Sequence, residues 1–331
     1  MINTLYKITL LTIILFAASV CFGQAEVERG KGVELFNKGN FKEAVAVLEK
    51  VVKAAPADVE ARTFLGLSQL KLGKMKDAGK TLEKSLELNP NQPNARKALA
   101  YVYLLRGKMM DSVKQMEALK ALNEMDAESF YILGWANLRL GNFDEALENA
   151  EQSVKLNPKM PNAYFLKAQA IMNRRDRNTD YRALAAKYGS AADNIGKFIL
   201  LTAADPDNSF WRGQQDTLKV FAAYYAEKEK NKADAEKEDD EANSTPVKII
   251  SKPRAAYSDR ARQAGVSGTI RLLAAFSEKG KVEHVLVLTS LGYGLDEEAV
   301  KAARGIRFTP RTVNGKPVTT VKAVEYTFTI Y

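Results

Sequence analysis

Residues 290–310 read SLGYGLDEEAVKAARGIRFTP. Two glycines spaced G-x-G run into a helix-like stretch. This is the layout either of a phosphate-cradling loop or of a plain strand-to-helix turn. A dinucleotide fingerprint needs a third glycine three residues after Gly294, and that position is Glu297. No G-K-[ST] follows, so the stretch is no P-loop either. Asp296, Glu297 and Glu298 crowd the helix start, where they suit the helix dipole and repel a phosphate. The glycines are therefore expected to turn the chain out of a strand, with LDEEAVKAAR as a helix. Leu295, Ala299 and Ala302 share its inner face.

Outward from this helix the pattern is strand-like. GTIRLLAAFS and VEHVLVLTS, joined by EKGK, read as a hairpin. Both strands are apolar on both faces, which predicts that neither face is left to water. VTTVKAVEYTFTIY is the last strand. Val324, Tyr326, Phe328 and Ile330 alternate with Glu325, Thr327 and Thr329, so one face is buried. His284, the only histidine, lies mid-strand and reads as a packed structural residue.

The first half of the chain repeats itself. Gly39, Gly73, Gly107 and Gly141 are 34 residues apart. So are Gly32, Gly66, Ala100, Gly134 and Ala168, and so are Ala44, Ala78, Ser112 and Ala146. Pro56, Pro90 and Pro158 keep the register, with Glu124 in the missing slot. The glycine column predicts a turn between two helices, the small columns close helix approach, and the prolines the end of each second helix. The units read as 25–58, 59–92, 93–126 and 127–160. A fifth starts at PNAYFLKAQAIM and is interrupted by NRRDRNTDYR; its closing proline is Pro206. SFWRGQQDTLKVFAAYYAEKEK is expected to cap the stack, as solenoid ends require.

This pattern resembles the tetratricopeptide repeat, a helix–turn–helix unit of 34 residues. The resemblance implies a concave groove for peptides, lined by certain positions of the first helices. Those positions carry Thr63, Leu67, Lys97, Tyr101, Tyr131, Trp135, Phe165 and Gln169. Tyr101, Tyr131, Trp135 and Phe165 would make an aromatic groove. The alternative is that some of them pack between repeats.

PRAAYSDRARQAGVSGTI followed by SEKGKVEHVLVLTSLGYGLDEEAVKAARGIRFTPRTVNGKPV resembles the C-terminal domain of TonB-type energy transducers. Tyr257, Ala261, Arg262, Gly268, Gly280, Val282, Ser290, Gly292, Gly294, Leu295, Asp296, Ala299, Phe308, Pro310, Gly315 and Val318 match in order. Ser258 replaces the family's proline. The resemblance implies a small mixed sheet that captures a segment of an outer-membrane receptor by adding it as a strand. The expected edge is Val318 to Tyr331, with Val318, Val321, Ala323, Glu325, Thr327, Thr329 and Tyr331 as binding positions.

The N-terminal MINTLYKITLLTIILFAASVCFGQ has Lys7, an apolar run from Ile8 to Ala18, and Cys21 and Gly23 placed for a cut before Gln24. This predicts a secretory signal at 1–23. A membrane anchor is the alternative, although the uncharged run is short of the roughly 20 residues that span a bilayer. A cut after Gly23 leaves a mature chain without cysteine, which excludes disulfides and thiol catalysis. A working transducer also has a long proline-rich stretch, which helical repeats replace here.

The expected organisation is therefore an all-α repeat solenoid with a capping helix at 24–228, a charged linker at 229–246, and a small α+β domain with an antiparallel sheet at 247–331. The whole chain carries a formal charge of +9. Residues 247–331 carry 14 Lys and Arg against 7 Asp and Glu, which draws them to acidic partners. No thiol, metal-ligand cluster or G-x-S-x-G points to an enzyme, and no cofactor is implied. No recognition helix or aromatic platform points to nucleic acid. The function expected is protein binding in the periplasm or cell envelope. The partners would be protein ligands of the repeats and TonB-dependent outer-membrane receptors. Inner-membrane motor proteins join them if the N-terminus is retained. The alternative is a periplasmic scaffold without energy transduction.

Overall fold

The computed structural model describes residues 23–174, 180–205, 208–231 and 243–329. Nearly all of the signal or anchor segment, most of the charged linker, the middle of the insert, Pro206, Ile330 and Tyr331 lie outside them. The chain forms two compact units, with the boundary in sequence between Leu140 and Gly141.

The first unit is helical. α1 (residues 23–37) is followed by α2 (Phe41–Ala54), α3 (Val59–Lys71), α4 (Met75–Leu88), α5 (Pro93–Leu105), α6 (Met109–Ala121) and α7 (Ala127–Leu140). The repeat columns have physical causes. Gly39, Gly73 and Gly107 have φ of 80°, 73° and 74°, a left-handed turn that glycine enters without a steric penalty. Gly32 and Gly66 serve close approach instead: a Cβ there would meet Leu48 at 2.6 Å and Leu82 at 2.7 Å. Ala44, Ala78 and Ser112 are fully buried on the second helices. Pro56 and Pro90 lie just past the ends of α2 and α4. Where Glu124 replaces proline, Asn123 ends α6 in the left-handed region at φ 57°.

The second unit opens on Gly141, whose φ of 85° continues the turn column. α8 (Phe143–Leu156), α9 (Pro161–Asn173), α10 (Tyr181–Leu201) and α11 (Asn208–Lys230) follow. Then come β1 (Ser244–Thr245), β2 (Lys248–Ser251), α12 (Asp259–Ala264), β3 (Gly268–Phe276), β4 (Val282–Thr289), α13 (Leu295–Arg304), β5 (Arg307–Thr309), β6 (Arg311–Val313), β7 (Lys316–Val318) and β8 (Thr320–Phe328). Among the described residues three antiparallel sheets form: β4-β3-β8, β2-β5 and β1-β6-β7. Helical repeats are thus followed by a small domain of antiparallel sheets.

Two details differ from the sequence expectation. The last strand is broken: Val318 pairs with Arg311 in a β6–β7 hairpin, and β8 begins at Thr320. Asn314 and Gly315, at φ 50° and 75°, make the tight turn of that hairpin. The last helix is also more than a polar cap. Its Leu218 and Phe221 share one core cluster with Tyr188, Ile195, Ala275, Leu286 and Leu288. The opposite face of the sheet packs Leu272, Ala274, Phe276, Val285 and Val287 against Leu295, Ala299 and Ala303 of α13. This sandwiching is why β3 and β4 are apolar on both faces.

Candidate protein-interaction surfaces

The 290–294 loop has three consecutive left-handed residues, Gly292 (φ 69°), Tyr293 (φ 56°) and Gly294 (φ 81°). Such a loop aims backbone N–H groups inward, the geometry that binds anions. The chain fills it with its own carboxylate. Asp296, 2 % exposed, accepts from Ser290 Oγ at 2.5 Å, Leu291 N at 3.0 Å and Gly292 N at 3.3 Å. Burial pushes its carboxyl above the usual carboxylate range, while those three donors pull it down. Beside it, Ser258 caps α12 by accepting from Ala261 N and donates to the Tyr293 carbonyl at 2.5 Å. The serine that stands in the family's proline position therefore ties α12 to the loop. Tyr257 donates its hydroxyl to the Val266 carbonyl.

The two outer strands of the β4-β3-β8 sheet are unlike. On β4, Gln214 of α11 spans two residues: its Nε2 donates to the Val285 carbonyl at 3.2 Å, and its Oε1 accepts from Val287 N at 2.7 Å. A side-chain amide so placed mimics a neighbouring strand. Asn173 of α9 donates to the Leu288 carbonyl at 2.6 Å, next to the position where the β3–β4 register shifts. Val285 and Val287 thus direct their backbone groups away from β3. Alternation along antiparallel ladders then carries through the sheet: Leu273 faces β4, Leu272 and Ala274 face β8, and Ala323, Glu325 and Thr327 turn their N–H and C=O groups away from β3. Consistent with this, the Glu325 carbonyl accepts from Lys252 Nζ at 2.5 Å. Lys252 also lies over the Tyr326 ring, 4.5 Å from its centroid. On β8, Val324, Tyr326 and Phe328 are buried, while Ala323, Glu325, Thr327 and Thr329 are exposed.

In the first unit, Lys97 holds Asp126 at 2.7 Å and Glu128 at 3.0 Å, beside a cleft of about 220 Å3 lined by Pro93, Asn94, Leu119, Met125 and Ser129. Burial opposes the charge on Asp126, but Lys97 and Ser129 outweigh it and hold the carboxyl below its usual range. Tyr131 and Trp135, both half-buried, meet edge-to-face at 6.4 Å. Burial pushes the Tyr131 phenol up to about 12, and Tyr101 adds to it. Tyr101 itself is exposed. Lys97, Tyr101, Tyr131 and Trp135 thus form one surface. Thr63 is buried, bonded to Ser85 and Gln92, and Leu67 packs on the core cluster around Leu82 and Leu99. In the second unit, Phe165 packs against Trp211 at 4.6 Å and Phe198 at 5.3 Å, and Gln169 is buried. Gln214 and Asn173 were not expected from the sequence. His284 is half-buried on β4. Among the described residues no group of three His, Cys, Asp or Glu could hold a metal ion, and no helix is long and apolar enough to cross a membrane.

Comparison with known proteins agrees with this architecture. Tetratricopeptide repeat models match residues 35–101 and 127–160, and the Gram-negative bacterial TonB protein C-terminal model matches 253–330. No curated protein matches the chain. Among solved structures, a crystal structure of MamA protein is 22% identical with a TM-score of 0.45, covering 54% of this chain and 92% of that one. MamA 41-end from Desulfovibrio magneticus RS-1 is 20% identical with a TM-score of 0.46, covering 55% and 97%. YrrB, described as a TPR protein with an unusual peptide-binding site, is 18% identical with a TM-score of 0.43, covering 53% and 85%. The chain therefore carries, in this order, tetratricopeptide repeats and a TonB C-terminal domain, two protein-interaction modules that point to a Gram-negative cell envelope.

Proposed function

We propose that the protein is exported to the periplasm and captures an extended segment of an outer-membrane receptor on β8, while its repeats hold a second protein. The observation that carries this reading is the asymmetry of the sheet. The Val285 carbonyl and the Val287 N–H on β4 are taken up by Gln214, whereas Ala323, Glu325 and Thr327 of β8 turn a run of backbone groups outward, of which the Glu325 carbonyl meets Lys252. Strand addition uses such groups for affinity and neighbouring side chains for specificity. Val321, Ala323, Glu325, Thr327 and Thr329 would receive the segment. Tyr101, Tyr131 and Trp135, with Lys97, would anchor the repeat ligand, since large aromatics carry much of the energy at such interfaces. The domain boundaries at 24–228 and 247–331 belong to this reading.

Thr327→Pro tests the edge. Its N–H faces outward, so the β3–β8 ladder keeps its bonds while the partner loses a donor. Capture of a detergent-solubilised receptor should fall at least about tenfold, the worth of one net hydrogen bond with its lost geometry. Unchanged capture by a folded variant would refute β8 as the edge.

A second reading is a scaffold without energy coupling. It is favoured by the uncharged run from Ile8 to Gly23, 16 residues long, which suits a cleaved signal better than a spanning helix. Mass spectrometry of the native protein separates the two. A mature start at Gln24 supports the scaffold; a retained N-terminus supports a transducer coupled to an inner-membrane motor.

A further inference from the structure

The β2–β5 ribbon has a composition unlike the rest of the surface. Residues 247–258 and 299–324, which supply its two strands and their flanks, contain nine Lys and Arg and no Asp or Glu. Phe308 of β5 turns into the core, so Arg307 and Thr309 turn outward. Opposite them, the register of β2 shifts between Ile249 and Ser251. That bulge leaves two consecutive isoleucines in water, Ile249 at 48% and Ile250 at 60% exposure. Pro253 sits against Gly305, where a Cβ would meet its Cγ at 3.1 Å, and this brings Arg254 and Arg304 to the same end of the ribbon. Among the described residues, none of Lys248, Arg254, Arg304 and Arg307 pairs with a carboxylate.

We propose that this ribbon docks on an anionic lipid surface. Ile249 and Ile250 enter the headgroup boundary, and Lys248, Arg254, Arg304 and Arg307 lie against acidic headgroups. An apolar insertion and a basic collar are each weak alone and sufficient together. The observations favour a membrane over a soluble acidic chain. A soluble acidic chain would meet the cations but leave two adjacent exposed isoleucines in water, whereas a headgroup boundary takes up both the apolar pair and the charges. A second copy of the chain is opposed by like charge.

Flotation of the full chain with phosphatidylglycerol-containing vesicles, against phosphatidylcholine alone, tests this. The N-terminal apolar run is common to all variants, so differences between them report the ribbon. Lys248→Gln/Arg304→Gln/Arg307→Gln should weaken the binding that depends on phosphatidylglycerol by about a hundredfold, roughly fivefold for each cation. Ile249→Ser/Ile250→Ser should weaken it about tenfold. A polarity-sensitive fluorophore on Ser251→Cys, in a Cys21→Ser background, should shift to the blue on binding. The proposal is overturned if the triple variant floats as the wild type does, or if the fluorophore stays in water while the chain is bound. It is also overturned if the isoleucine variant binds normally and soluble polyglutamate competes fully, since the site then takes an acidic polymer and not a lipid.

Discussion

β4 and β8 are the two outer strands of one sheet, and the rest of the chain treats them in opposite ways. β4 is covered on one face by α13 and on the other by α9–α11, and its outward backbone is met by Gln214 and Asn173. β8 buries Val324, Tyr326 and Phe328, and the outward carbonyl of Glu325 accepts from the exposed Lys252. An unpaired edge is a liability that proteins usually cover, charge or shorten. Among the described residues one of the two edges is covered, by helices that belong to the repeat side of the sequence. Within the second unit, α9, α10 and α11 share one core with the sheet, through Met172, Ile195, Leu218 and Phe221 against Leu286 and Leu288.

The largest effect is expected at Phe221. It is 1% exposed and lies in the cluster that joins α10 and α11 to Leu286 and Leu288. Phe221→Ala should cost about 3–5 kcal/mol, as buried aromatic truncations do. Loss of α11 and sheet signals in a single urea transition would show that helix and sheet unfold together. Two separate transitions would mean that β4 stands without its cover.

Gln214→Leu is a smaller and sharper cut. It keeps the volume but leaves Val287 N–H and the Val285 carbonyl buried without partners, for about 2–4 kcal/mol. Gln214→Glu keeps the acceptor for Val287 N–H and should cost less below neutral pH than above it. Hydrogen exchange at Val287 separates these effects from a general loss of packing.

Asp296→Ala strips the acceptor from Ser290, Leu291 and Gly292 and should cost about 1–3 kcal/mol. The native carboxyl holds its proton more tightly than the unfolded one. That contribution is complete below the ordinary value of 3.8 and is lost as pH rises through the folded value. Asp296→Asn carries no such step, so the stability of the wild type relative to this variant should fall across that window in urea titrations.

Much of this contrast was legible in the sequence, and its gaps have physical causes. The repeat columns were readable because each small residue answers a steric demand that recurs every 34 positions: a left-handed turn at Gly39, a helix crossing at Gly32. The burial of β3 and β4 on both faces was readable from their unbroken apolar runs. What covers the second face was not. α11 mixes Trp211, Gln214, Gln215 and Lys219 with its apolar residues, and a glutamine reads as surface until a strand edge is found beside it. Gln214 is only 4% exposed. Asn314–Gly315 is a hairpin signal, but the strands it joins are three residues each, too short for an alternating pattern to show. Among the groove positions, Tyr131 and Trp135 share a surface, whereas Thr63 and Gln169 are buried. A register of helix positions gives the face of a helix but not how closely the next helix covers it.

The smallest effect falls on Lys252, the side chain that touches the open backbone of β8. Lys252→Met removes its bond to the Glu325 carbonyl and its place over Tyr326 at an exposed site, so stability should change by no more than about 0.5 kcal/mol. Capture of the partner strand is the informative readout. If Lys252 shields the edge, an incoming N–H must displace it, and its removal should strengthen capture severalfold while Lys252→Arg leaves capture unchanged. If capture weakens in the methionine variant and is held by the arginine one, the cation belongs to the interface, paired with an acidic residue of the incoming strand. In that case the contrast with β4 is one of chemistry as well as coverage: neutral amides close one edge, and a charge recruits to the other.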